Sequence, residues 1–176
     1  ILAPILFNLV CLKPFQALFI PPRLIHSYLE GSGAEIMANS DSVLRCALTH
    51  KHRDIDLLMQ TALIAPSSPH LIDPVRLNKW EFAYPAPVRE FAFAVIESDE
   101  SLVYDMPLHG NPHILFCLDG CFFLTEKALE ATTHNSNEND NISIQKGGSV
   151  FLTPGKQFIR IRGKGTILHA TVSGQA

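Results

Sequence analysis

The sequence predicts a mainly β fold, in which a jelly-roll domain at the C-terminal end follows the last strands of another β unit and a connecting helix. Three observations carry this expectation. From residue 89 onward short strand-like runs alternate with Gly, Pro and Asn clusters, one stretch near residue 55 has helical periodicity, and one segment occurs twice. Composition sets the frame: 47% hydrophobic and 18% charged residues suit a folded chain with a substantial core. A length of 176 residues fits one domain plus a piece of another. The net charge of −3 leaves no basic stripe to neutralise phosphates, which excludes a nucleic-acid partner.

In chain order, ILFNLVCL is an apolar run closed by Lys13-Pro14, and ALFI is a second run closed by Pro21-Pro22; the pair reads as strand, turn, strand. Asn8, Lys13 and Gln16, with Pro4 and Pro14, interrupt this greasy opening too often for a helix that spans a membrane. In RDIDLLMQTALI, residues Ile55, Leu58, Met59 and Ala62 fall at spacings of three and four, an amphipathic helix with Pro66 as its stop. Five prolines between Pro66 and Pro87 then read as an extended linker. Eight strand-like runs follow: FAFAVIE, SLVYDM, HILFCLDG, CFFLTE, NISIQ, SVFLTP, FIRIRG and TILHATV, with the polar loop TTHNSNENDN between the fourth and fifth. The four cysteines form no C-x-x-C pair, and three lie in apolar runs, so they read as free thiols of a reducing cytosol.

The repeat sharpens the architecture. Lys13-Pro-Phe-Gln-Ala-Leu-Phe-Ile-Pro21 lies over Lys146-Gly-Gly-Ser-Val-Phe-Leu-Thr-Pro154 without a gap, each with Lys, a turn, an apolar strand and Pro at one offset. Turn, strand, Pro and a strand entering a barrel resemble the second conserved motif of cupins, where a His shortly after the Pro binds metal. His26 stands five residues after Pro21, and the equivalent place in the second copy is Ile159. An apolar side chain cannot ligate zinc, so the second unit is expected to be metal-free.

The stretch His26-Ser-Tyr28-Leu-Glu-Gly31, then Glu35-Ile-Met-Ala-Asn-Ser40-Asp41, then Leu44-Arg45-Cys-Ala-Leu48-Thr49-His-Lys51, resembles the signature region of the type I mannose-6-phosphate isomerases over some forty residues in register. The resemblance implies a cytoplasmic enzyme interconverting mannose 6-phosphate and fructose 6-phosphate at one zinc ion in a cupin barrel. By position, His26 matches the family's C-terminal zinc ligand, Arg45 its catalytic arginine, and Tyr28, Glu35 and Lys51 its substrate pocket. It also implies the organisation: residues 1–50 close the catalytic cupin unit and carry the motif, 51–88 form a connecting helix and proline-rich linker, and 89–176 form a cupin-like, metal-free β domain.

Isomerisation between the first and second sugar carbons passes through an enediol whose oxygens gather negative charge. A Lewis-acid metal and a guanidinium both stabilise it. Arg45 stays charged at working pH and is a poor proton carrier, which leaves Glu35, Lys51 or a water on the metal to move the proton.

Three positions depart from the family pattern: Ser42 for Asn, Ala47 for Gly and His50 for Pro, the last removing a backbone constraint beside Lys51. The family's other zinc ligands, a Gln-x-His pair and a Glu, lie upstream of the motif and have no counterpart here. His109 and His113 show no partner at ligand spacing, so they do not make a second metal site. The chain is therefore expected to be the C-terminal part of such an enzyme, inactive alone, with the missing N-terminal part as its partner. A non-catalytic cupin-like binding or regulatory module is the alternative, and a metal-dependent cupin oxygenase a more remote one, since it needs several clustered ligands.

Overall fold

The computed structural model describes residues 3–40, 42–46, 49–126 and 142–173. Asp41, Ala47 and Leu48 of the motif region, and the whole of the TTHNSNENDN loop, fall outside them. The chain divides into two compact units, Ile1–Asp73 and Pro74–Ala176. No helix among the described residues is long and apolar enough to cross a membrane.

The first unit holds α1 (Ala3–Leu6), β1 (Ala17–Phe19), α2 (Ile55–Thr61) and β2 (His70–Ile72). The opening run ILFNLVCL is not the expected strand. It starts as the single turn α1, and the described residues offer it no strand to pair with. Strand ALFI does form, as β1, antiparallel to β2 with Leu18 opposite Leu71. Asp54 caps α2, its carboxylate accepting the Leu57 N–H at 2.9 Å. Leu58 is the buried residue of that helix, while Met59 of the same expected face is 62% exposed. The helix ends at Thr61, well before Pro66, as Ala62 takes an extended conformation.

The second unit contains β3 (Val75–Arg76), β4 (Glu81–Tyr84), β5 (Ala92–Pro107), β6 (His113–Glu126), β7 (Ile142–Gln145), β8 (Ser149–Leu152) and β9 (Phe158–Thr171). These make an antiparallel sheet in the order β3-β4-β5-β9-β6-β7, with β8 on β6. The proline-rich stretch is thus more than a linker: β2, β3 and β4 lie within it, with Pro74 and Pro85 at strand ends, where no ladder N–H is lost.

Six of the eight expected strands are merged into three, while NISIQ and SVFLTP form β7 and β8 by themselves. FAFAVIE with SLVYDM is β5, HILFCLDG with CFFLTE is β6, and FIRIRG with TILHATV is β9. Each is bent rather than broken: the register shifts between Ser98 and Leu102 in β5 and between Cys117 and Asp119 in β6. Glycines make the bend possible where β6 and β9 pair most closely. A Cβ at Gly120 would sit 2.0 Å from the Lys164 carbonyl oxygen, and one at Gly163 or Gly165 would sit 2.2 Å from the Cys121 or Asp119 carbonyl oxygen. The glycines that punctuate the sequence are therefore points of backbone contact within strands.

Alternation along these strands fills the interior with Ile96, Leu102, Leu115, Phe122, Ile161 and Ile167, all at most 1% exposed. Each such side chain contributes about 1.5–3 kcal/mol relative to exposure, which is what holds the second unit together. Ile159 is among the buried residues, opposite Met106 and Glu126, so its copy of the repeat presents hydrocarbon. The repeat is visible in the backbone as well. The Gln16 N–H donates to the Lys13 carbonyl before β1, and the Gly148 N–H donates to the Gln145 carbonyl before β8. The third residue of each turn has positive φ, Phe15 at 60° and Gly147 at 82°, so the turn slips by one residue between copies.

Candidate functional site

Two groups of polar residues stand out, one in each unit. In the first, the described residues from Pro21 to Arg53 contain neither helix nor strand, so local hydrogen bonds position the side chains. His26 Nδ1 lies 3.0 Å from the Leu24 carbonyl oxygen. A carbonyl only accepts, so Nδ1 carries the hydrogen and Nε2 is left with its lone pair facing outward from the bond. A backbone carbonyl fixing the ring this way is the usual support of a metal-ligating histidine.

Tyr28 packs edge-on to the His26 ring, with centroids 6.0 Å apart. Partial burial raises its pKa, and so does its hydrogen bond to the Glu35 carboxylate, so the phenol stays a donor to that group. His26, Tyr28 and Glu35 thus form one contiguous set. Arg45 is half-buried and Lys51 exposed. Lys51 is placed by its backbone, whose N–H donates to Thr49 Oγ1 at 3.1 Å. Ser42, a departure from the motif, donates its N–H to Ser40 Oγ at 3.1 Å, a local turn that an asparagine is not needed to make.

Zinc needs three or four protein donors. Among the described residues no three His, Cys, Asp or Glu side chains stand together in a way that holds a metal ion. His26 Nε2 fits such a site as one ligand, and the remaining donors are not among these residues.

The second group was not legible in the spacing of the sequence. Glu81 on β4, His169 on β9 and His113 on β6 lie inside the second unit, each less than 8% exposed. His169 Nδ1 is 2.9 Å from Glu81 Oε1, and His169 Nε2 is 2.8 Å from His113 Nδ1. His113 Nε2 is 2.9 Å from the Leu108 carbonyl. Tyr104 donates to Glu81 Oε2 at 2.7 Å and accepts from Asn78, whose own oxygen takes the Trp80 and Glu81 N–H groups. Burial works to raise the Glu81 pKa, but the hydrogen bonds from His169 and Tyr104 outweigh it and hold the carboxyl below its usual range. Burial, and next to it the Glu81 carboxylate, pushes Tyr104 up. Burial likewise pushes His113 down. His113 pairs with His169 and not with its sequence neighbour His109. The one sequence signal was the alternation of TILHATV, which puts His169 on the same face as Ile167.

No family model matches the chain. Over 168 residues it is 31% identical to the mannose-6-phosphate isomerase of Escherichia coli strain K12, across 94% of this chain and 39% of that protein. With the enzyme of the same name from Salmonella typhimurium it shares 38% identity over 120 residues, 67% of this chain and 30% of that protein. The crystal structure of mannose 6-phosphate isomerase from Salmonella typhimurium bound to its substrate fructose 6-phosphate and to zinc superposes with a TM-score of 0.59. It is 26% identical and covers 78% of this chain and 32% of that one. The matched region is the C-terminal portion of these proteins, and the shared fold is mainly β and cupin-like. The chain spans between 30% and 39% of the length of these two curated relatives.

Proposed function

The chain is related in sequence and fold to the C-terminal portion of mannose-6-phosphate isomerases, and from that kinship we propose that it supplies part of the active site of such an enzyme, which interconverts mannose 6-phosphate and fructose 6-phosphate in the cytoplasm. The observation that carries this reading is the set His26, Tyr28 and Glu35, in which a histidine with its Nε2 lone pair free stands beside a hydrogen-bonded phenol and carboxylate.

In this reading His26 is one ligand of a zinc ion whose other ligands come from outside these residues. The metal, when bound, supplies Lewis acidity at the sugar oxygens. Arg45 offers a permanent positive charge to the oxygen that becomes anionic in the enediol. Lys51 holds the sugar phosphate as a point charge on a flexible stem. Tyr28 and Glu35 orient the sugar hydroxyls, one as donor and the other as acceptor. The second unit, with Ile159 where a ligand would stand, has a structural role. The free cysteines, two of them exposed, suit a reducing compartment.

The chain alone is expected to hold no stoichiometric zinc and to show no turnover, since one histidine cannot retain the metal. The test is a coupled isomerase assay with metal analysis, on this chain alone and after adding an N-terminal part taken from a full-length relative. Zinc and turnover only in the complemented sample support the reading; turnover by the chain alone refutes its dependence on outside ligands. The lone ligand favours one alternative, a non-catalytic cupin-like binding module, and absence of turnover in both samples would point there.

A further inference from the structure

We propose that the Glu81–His169–His113 chain is a single-proton latch that fastens β4 to β9 and β6 and opens when it takes up a second proton. Contacts of 2.8 to 2.9 Å fix the number of hydrogens along this chain. The Leu108 carbonyl accepts only, so His113 Nε2 carries a hydrogen. The Glu81 carboxylate also accepts, at Oε1 from His169 and at Oε2 from Tyr104, so His169 Nδ1 carries a hydrogen as well. One further hydrogen must then lie between His169 Nε2 and His113 Nδ1. The two rings share three hydrogens, one more than two neutral imidazoles hold, and that excess proton balances Glu81. Its favoured place is on His169, next to the carboxylate.

Adding another proton leaves no satisfied arrangement. Placed on His113, it sets two N–H groups against each other across 2.8 Å, with both rings charged in an edge-to-edge pair whose centroids are 5.1 Å apart. Placed on Glu81, it puts an O–H against the His169 N–H. In either case a buried donor loses its acceptor, a penalty that outweighs the gain of any one bond. The groups facing the chain are Glu81 from β4, Tyr104 from β5, His113 from β6 and His169 from β9. His109, in the turn between β5 and β6, disfavours further charge on His113, and β8 contributes only Leu152, opposite His113.

The sign follows from two shifts. His113 is lowered, so an unfolded or opened chain binds its proton first. Below the ordinary histidine value of about 6.5 the latch weakens as pH falls; because the closed chain also holds one proton that an opened chain gives up at higher pH, the latch is tightest near that value and loosens on either side. Glu81 is lowered as well, so the loss continues as pH drops into the carboxylate range. Strand β4 bears Glu81 near the outer end of the sheet, where only the two-residue β3 lies beyond it, so this is the strand that opening sets free.

The experiment uses the full chain with 15N-labelled histidine. At pH about 7.5 the ring nitrogens should show His169 protonated on both nitrogens and His113 neutral with its hydrogen on Nε2. Between pH about 6.5 and 5.5 the opening equilibrium of the β4 amides, corrected for intrinsic exchange, should rise roughly threefold, because an opened chain with two ordinary histidines goes from about one bound proton to nearly two while the closed latch keeps one. In His113→Gln the amide can donate to Leu108 and accept from His169 without titrating, so this rise should vanish. A charged His113 at neutral pH, or an unchanged pH step in H113Q, overturns the latch. Should H113Q fail to fold, the ring spectra of the unsubstituted chain decide by themselves.

Discussion

Arg45 cannot hand over a proton, so its replacement isolates charge stabilisation from acid–base work. In the complemented enzyme Arg45→Ala should lower kcat by about 100- to 1000-fold while KM moves far less, as for loss of one oxyanion-stabilising group. Steady-state kinetics checks this, and an effect confined to KM would make Arg45 a binding residue. His26→Ala should instead lower zinc content in the same sample, read by elemental analysis, before any kinetic parameter is interpreted. These residues were legible because their identities and order form a motif. The ring orientation of His26 was not, since the Leu24 carbonyl that sets it depends on backbone conformation. Glu81 and His169 stand 88 residues apart in the chain, and no local pattern announces a bond at that separation. Residue type finds such a pair only after the strands carrying it have been paired.

At the scale of elements, the helix was foreseen by its spacing, although it stops sooner than Pro66 because Ala62 has already turned extended. The strands were foreseen as apolar runs but not as three long, bent ones. A glycine in a strand reads as a break when only the sequence is seen; with the partner strand in place it is where two backbones touch. Gly163→Ala tests that reading: φ is +148° there and the added Cβ would lie 2.2 Å from the Cys121 carbonyl oxygen. The substitution should destabilise the second unit by about 2–4 kcal/mol, combining backbone strain with forced displacement of β6. Chemical denaturation followed through Trp80 would measure it. Gly155→Ala makes the control: it too has positive φ, but its Cβ would meet nothing within 4 Å, so it should cost only about 1 kcal/mol.

At the scale of the whole molecule, the two units differ in how much they bury. Residues 74–176 enclose a continuous core, whereas among the described residues of 1–73 Leu58 and Ile72 are the buried apolar side chains, and Ile5, Leu9, Tyr28 and Ile64 are each at least 70% exposed. The small sheet of the first unit consists of β1 and β2 alone, leaving both outer edges open among the described residues. Limited proteolysis of the chain should therefore cut first within residues 1–73 and leave a resistant fragment close to 74–176, identifiable by mass spectrometry. Equal resistance of both units would show that the first buries more than these exposures indicate. Addition of the N-terminal part should slow that early cutting if it covers the exposed side chains. The cupin-like class could be read from runs and repeat together; the unequal burial could not, because exposure depends on which neighbours a side chain meets.

The close pairing of β6 and β9 has a further consequence. Around Gly120 and Gly165 the two main chains bear directly on each other, and at Gly163 the Phe122 ring joins the contact. A larger residue at any of these three positions would have to part the two strands themselves, so the pairing of β6 with β9 sets how much side-chain volume the bend tolerates.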